Sequence, residues 1–314
     1  MAGTSPPPDA VAAGDSFAGF LLVRRLGAGT VGTVYVARHP RIPVPLALKV
    51  VRTGVSRDPA FRETFLREVE FAATLDHPNI VSVLDYGESD GRLFVATAYV
   101  DGPEAGELLR EQHPAGMPLT AVTLIVDQIA RAADFAHEHG LVHRHIKPAN
   151  ILLEKPYSSD YRILLGDFGT APPGGLLRPD RPTTGAPGRM DYAAPEQGHP
   201  RARTTGRTDQ YGLAATAFHL LTGKTVSEAA GGGPTNGHDS SAPTLASTRP
   251  ELASLDPIFA TALAADPRAR FDTCGDFAAA LIRQAATATA RSSSTTPPTA
   301  REGAASAGPS TTGP

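Results

Sequence analysis

Val142-His143-Arg144-His145-Ile146-Lys147-Pro148-Ala149-Asn150, followed by Gly166-Asp167-Phe168-Gly169, is the stretch on which the reading of this chain turns. Two polar clusters bracket short apolar runs at 151–153 and 163–165, which read as brief strands. His137, His139, His143 and His145 raise the question of a metal site. Gly140 interrupts the helix between them, and no cysteine or clustered carboxylate joins them, so their spacing does not give a zinc site.

Working outward, residues 119–139 form the clearest helix. Val122, Ile125, Val126, Ile129, Ala133 and Ala136 make one apolar stripe, stopped by Gly140. Further upstream the pattern is β-like. Phe20, Leu22 and Leu26 lie on one alternation and Leu21 and Val23 on the other, and 33–37, 46–51, 81–86 and 93–100 read as strands. A single helix over 58–75 interrupts them, with Phe61, Phe65, Val69 and Ala72 on one face. From Asp101 onward helical patterns dominate, so a small sheet lobe joins a larger helical lobe, an α+β architecture. The low-complexity run 223–250 reads as a long surface loop in the helical lobe. Residues 1–16 and 285–314 carry almost no large apolar side chains and read as disordered, leaving 17–284 as the ordered part.

Composition narrows the classes. The chain has 314 residues, enough for about two domains and a substantial core. Lys plus Arg is 29 and Asp plus Glu 32, a net charge of −3 that leaves no electrostatic footprint for nucleic acid. Cys274 is the sole cysteine, so no intrachain disulfide forms, which fits a reducing compartment. No apolar run is long enough for a membrane span, and the N-terminus lacks a basic start followed by an apolar run. A cytoplasmic location is expected.

Three upstream features add chemistry. Gly27-Ala28-Gly29-Thr30-Val31-Gly32 is a glycine loop followed by the strand-like Thr33-Val34-Tyr35-Val36, where a dinucleotide fold would place a helix. A glycine loop between strands suits close approach of backbone N–H groups to phosphate, and equally suits a plain turn. In Ala47-Leu48-Lys49, alternation puts Ala47 and Lys49 on one face, a small residue beside a cation. Glu68 falls within the apolar stripe of helix 58–75, where a carboxylate needs a partner, and Lys49 is the expected one. Glu63 and Arg67 are spaced as a surface pair.

In this order, the glycine loop, Ala-Leu-Lys, the helix glutamate, His-Arg-x-x-Lys-Pro-x-Asn, Asp-Phe-Gly and Ala194-Pro195-Glu196 resemble the protein kinases. His77-Pro78-Asn79-Ile80 and Ala193-Ala194-Pro195-Glu196-Gln197 resemble the eukaryotic-like (Hanks-type) bacterial serine/threonine kinases. The resemblance covers about 17–284 and implies a bilobal fold, with an N-lobe of about 17–97, a hinge at 98–101 and a C-lobe of about 102–284. It implies that Gly27, Gly29 and Gly32 cover the ATP phosphates and that Lys49, paired with Glu68, holds them. Val34, Ala47 and Leu152 would sandwich adenine, Thr97 would gate the back pocket, and Ala98 to Val100 would bond the base. Lys147 would reach the γ-phosphate, and Asn150 and Asp167 would hold Mg2+. Glu196 with Arg270, and Asp209, correspond to structural anchors rather than catalytic groups.

The chain departs from the family at His145, where an aspartate accepts the substrate hydroxyl proton, and at Arg189, where threonine is usual and a bulky cation is expected to crowd the substrate side. The region after Thr222 lacks the usual Pro-Phe. A positioned base is worth about 10²–10⁴ in rate, so a neutral imidazole at 145 implies weak transfer to serine or threonine hydroxyls. The alternative is a pseudokinase, a nucleotide-binding regulatory or scaffold module. Either implies a protein substrate or a protein partner. Arg144 offers a guanidinium to a phosphate placed on Thr183 or Thr184 by an upstream kinase.

Overall fold

The computed structural model describes residues 11–156, 160–169, 189–199, 203–231 and 243–293. Its N-terminal part is a six-stranded antiparallel sheet in the order β1-β2-β3-β4-β6-β5: β1 Ser16–Phe17, β2 Phe20–Ala28, β3 Gly32–His39, β4 Ile42–Val51, β5 Val83–Ser89 and β6 Arg92–Ala98. Alternation works as expected on β4. Leu46, Leu48 and Val50 are fully buried with Phe20, Leu22, Tyr35 and Phe94, while Ala47 and Lys49 face the opposite way.

A one-turn helix, α1 (Thr53–Ser56), precedes α2 (Pro59–Ala72). Asp58 starts α2: its carboxylate accepts from the N–H groups of Ala60 and Phe61 at 2.9 and 3.1 Å, and Pro59 takes the first helical position, where its missing N–H costs nothing. Phe61, Phe65 and Val69 seat the helix against Val51, Leu93 and Val95 of the sheet, and Glu68 is carried into the same buried face.

The larger lobe comprises α3 (Ala105–Gln112), α4 (Leu119–Glu138), the hairpin β7 (Ile151–Glu154) and β8 (Arg162–Leu165), α5 (Gly206–Thr222), α6 (Val226–Ala229), α7 (Asp256–Ala262) and α8 (Cys274–Ser293). The stripe of α4 is its buried side, with Val122, Ile125, Val126 and Ile129 at 0–1% exposure. From Thr208 to Thr222 every residue of α5 is buried, so α5 is the central post of the lobe rather than an amphipathic surface helix.

Three boundaries differ from expectation. At the N-terminal end order begins before residue 17: the Gly14 N–H donates to the Leu22 carbonyl at 2.7 Å and the Leu22 N–H to the Asp15 carbonyl at 2.9 Å. Part of 223–250 is ordered: Thr225 and Glu228 form a capping box that starts α6, and Val226 and Leu245 are buried in the main core. At the C-terminal end α8 continues past residue 284 to Ser293, through an Ala/Thr-rich run whose alanines favour helix where composition suggested a tail. Residues 294–314, like Thr183 and Thr184, lie outside the described residues.

Candidate active site

The sheet lobe meets the helical lobe at a cavity lined by Val34, Ala47, Lys49, Val81, Val83, Val95, Thr97, Asp167 and Phe168. Cross-strand register builds its roof, with Val34 opposite Lys49, Val36 opposite Ala47 and Ala47 opposite Thr97. The Thr97 hydroxyl donates to the Ala47 carbonyl at 3.5 Å, at the long limit for such a bond. Below, Leu152 and Ala98 pack on a small apolar cluster of Val81, Val100 and Leu164. Val81, Val83 and Val95 were not singled out from the sequence. Val95 was accessible to that reading, since it lies two positions from Thr97 on one strand face.

Gly27, Gly29 and Gly32 bound the turn between β2 and β3, which closes with the Gly29 N–H donating to the Gly32 carbonyl at 2.9 Å. Only Gly32 is demanded by packing: a Cβ there would collide with the Val50 carbonyl, whereas Gly27 and Gly29 face open space. Gly27 and Gly29 therefore leave backbone accessible rather than relieve a clash.

Four charged groups meet across the cleft, and their pairing differs from expectation. Lys49 does not pair with Glu68. Its Nζ lies 2.6 and 2.7 Å from the two carboxylate oxygens of Asp167. Glu68 instead accepts from the Arg144 guanidinium at 2.5 Å, and the Arg144 Nε also donates to the Thr204 hydroxyl at 3.1 Å. Arg144, expected to be available to a phosphate, is thus engaged by a carboxylate from the other lobe. Physically, Lys49 and Arg144 are alternative cations for one buried carboxylate, and local spacing cannot choose between them. Burial raises the pKa of Glu68, and Arg144 only partly offsets this. Burial also disfavours charge on Asp167, but Lys49 and Lys147 outweigh it and hold the carboxyl below its ordinary value.

Backbone geometry fixes Asp167. It sits at φ +72°, an uncommon conformation for a non-glycine residue, and Gly169 at φ +72° brings the chain against α2, where a Cβ would be 2.9 Å from the Val69 nitrogen. The catalytic-type loop is held from beneath by Asp209 of α5. One of its oxygens accepts from the His143 N–H at 2.7 Å and the other from the Arg144 N–H at 2.6 Å, with Arg144 at φ +64°. His143 is buried against Phe168 with ring centroids 4.6 Å apart. Its Nδ1 accepts from the His145 N–H at 3.2 Å, which leaves Nε2–H to donate to the Gly166 carbonyl at 2.9 Å. Burial lowers the His143 pKa, in agreement with this neutral tautomer.

Asn150 donates through its side-chain nitrogen to the His145 carbonyl at 2.8 Å, turning the amide oxygen the other way. Lys147 lies near both Asp167 and the half-buried Glu104. His145, Lys147, Asn150 and Asp167 therefore share one locality. The Arg189 side chain lies outside the described residues. The anchors also agree with expectation: Arg270 grips Glu196 through two bonds of 2.9 and 2.8 Å and stacks 4.8 Å over Tyr211.

A sheet lobe and a helical lobe meeting at a cleft, with cations and a carboxylate opposed at its mouth, define the two-lobed phosphotransferases. The protein kinase domain family matches residues 20–271. Serine/threonine-protein kinase PknF of Mycobacterium tuberculosis is 48% identical over 279 residues, covering 86% of this chain and 57% of the relative. PknI of Mycobacterium bovis is 41% identical over 285 residues, covering 91% of this chain and 45% of the relative. A crystal structure of the Mycobacterium tuberculosis PknI kinase domain is similar at a TM-score of 0.73 and 40% identity, covering 88% of this chain and all of that one. The chain belongs to the protein kinase family, and within it to the Hanks-type bacterial serine/threonine kinases. It spans about half the length of the curated relatives it matches. The family uses ATP and a divalent metal ion. Among the described residues no helix is long and apolar enough to cross a membrane.

Proposed function

We propose that the chain is a cytoplasmic serine/threonine kinase domain that binds ATP with Mg2+ in the interlobe cleft and transfers the γ-phosphoryl slowly to protein hydroxyls. The observation that carries this reading is the convergence of Lys49, Lys147, Asn150 and Asp167 on one cleft beneath an open glycine turn. The donor set fits the group. A carboxylate held ionised and an amide oxygen are hard ligands suited to Mg2+, and two lysines suit phosphate. Bound ATP supplies the transferable phosphoryl group and its metal ion the charge neutralisation.

The protein's own part is positional. Val34, Ala47, Thr97, Ala98, Val100 and Leu152 offer an apolar slot for a flat base. Asp209 holds the loop bearing His145 by two backbone bonds, so that residue is presented rigidly. An imidazole there, when neutral, accepts one hydrogen bond from a substrate hydroxyl and orients it, without the negative charge an aspartate would bring. The contact of Glu68 with Arg144 favours a second reading, a nucleotide-binding regulatory module, because the carboxylate expected to brace Lys49 is committed elsewhere.

Transfer from labelled ATP tests both. We expect slow transfer by the parent, a gain of about 10²–10⁴ in His145→Asp and none in Asp167→Asn. A fast parent with no gain in His145→Asp overturns the assignment at 145. ATP with Mg2+ is expected to raise Tm and Lys49→Met to abolish the rise. A rise without any transfer favours the regulatory module, and no rise in the parent removes the nucleotide site.

A further inference from the structure

The fold corrects one exclusion drawn from the sequence: a cysteine does join one of the histidines. Cys274, at the start of α8, reaches Asp134 and His137 of α4, and one ligand atom from each lies within 4.8 Å of the others. We propose that Asp134, His137 and Cys274 bind a soft divalent cation of the zinc class, at a site separate from the cleft that serves Mg2+.

The placement of each atom supports this. The His137 Nε2 is 2.8 Å from an Asp209 oxygen, while Nδ1 points to Asp134, 3.6 Å from its Oδ1. An imidazole anchored by a carboxylate through one nitrogen and presenting the other is the arrangement that orients a metal-ligating histidine. Asp134 is held in turn: its two oxygens accept from the Cys274 and Gly275 N–H groups at 3.0 and 2.8 Å. Each oxygen keeps a lone pair for a cation. Cys274 is fully buried and brings the soft donor.

Glycine at 206 and 275 lets the backbone pack closely on the cluster: a Cβ at Gly206 would lie 2.8 Å from His137 Nδ1, and one at Gly275 2.9 Å from an Asp134 oxygen. The Asp134 and His137 side chains retain 27% and 16% exposure, which gives an entry path and a place for a water as fourth ligand. A thiolate, an imidazole and one carboxylate select zinc or cadmium over Mg2+. The cation takes the place of the Nδ1 and thiol protons, so its two positive charges meet two negative ligands. Asp209 links the site to the catalytic-type loop, since the oxygen near His137 also accepts from the His143 N–H. Occupancy therefore bears on the loop that carries His145.

The single cysteine makes the test direct. The full chain, stripped of metal by a chelator, is titrated with Cd2+ in excess Mg2+ while the thiolate-to-cadmium charge-transfer absorption is followed. We expect a band that saturates at one ion per chain and a rise in Tm with Zn2+. Cys274→Ser is expected to lose both, the Zn2+ effect being read against the variant's own metal-free Tm. Asp134→Asn and His137→Gln are expected to weaken Cd2+ binding tenfold or more. Absence of the band, a fall in Tm on adding Zn2+, or unchanged affinity in both Asp134→Asn and His137→Gln would overturn the site. The last result would mean cadmium resting on the thiol alone.

Discussion

Two sets of charged contacts in this molecule behave differently. In the helical lobe, Arg270 with Glu196 and Asp209 with the loop backbone sit where the family pattern places them, each locked by several bonds. In the cleft, Lys49, Glu68, Arg144 and Asp167 are all present, yet Glu68 and Lys49 take other partners. The difference is one of alternatives. Arg270 meets Glu196 with two parallel bonds, its guanidinium stacked on Tyr211 and its remaining N–H groups spent on backbone carbonyls, so no second carboxylate fits. Glu68 rides on a helix docked to the sheet lobe while its two candidate cations belong to different lobes, so its partner depends on how the lobes sit. The anchors are fully bonded within one lobe, whereas the cleft pairing spans both.

The comparison breaks most visibly at the anchor. Arg270→Ala leaves Glu196 buried without its charge partner, and such losses cost about 3–5 kcal/mol. Denaturant unfolding is expected to show that loss, with Tm lower by on the order of 10 °C. A change below about 1 kcal/mol would put the anchor in the same class as the cleft.

A smaller effect comes from the same scaffold through pH. Burial pushes the His137 pKa down, but its bonds to Asp134 and Asp209 outweigh this and raise it to about 9. The unfolded value is near 6.5, so the protonated ring stabilises the fold in full below about pH 6.5. That contribution is lost as pH rises through about 9, at most about 3 kcal/mol in all. Unfolding free energies in metal-free buffer are expected to fall over this window, and His137→Gln to flatten the fall. A stability that rises from pH 7 to 9 would contradict the assigned pairing.

How much of this was legible follows the range of the interaction. Strand alternation on β4 and the stripe of α4 are local, and the buried residues are those the spacing indicated. The Asp-Phe-Gly and His-Arg-His clusters come together because motif order encodes them. The choice of Arg144 over Lys49 as the partner of Glu68 depends on lobe placement, which no local spacing contains. The meeting of Cys274 with His137 is similar, since only the docking of α8 on α4 brings them together. The start of α6 was legible but unread: Thr225-Val226-Ser227-Glu228 has the capping-box spacing inside a run judged on composition alone.

The smallest effect sharpens the comparison within one helix. Glu63 and Glu68 both lie on α2 and both face an arginine, yet Glu63 stands 3.9 Å from Arg67 with side chains 80% and 58% exposed, while Glu68 and Arg144 keep 7% and 20%. In a double-mutant cycle the Glu63–Arg67 pair is expected to contribute a few tenths of a kcal/mol, as exposed helix pairs do. The Glu68–Arg144 pair is expected to show a coupling of about 1–2 kcal/mol, reduced because burial already disfavours the Glu68 charge. If ATP and Mg2+ draw Glu68 toward Lys49, the Glu68–Arg144 coupling should shrink when both are added while the Glu63–Arg67 coupling stays fixed. Equal couplings under both conditions would mean that Glu68 is as firmly committed as Glu196, and that the cleft holds a single arrangement.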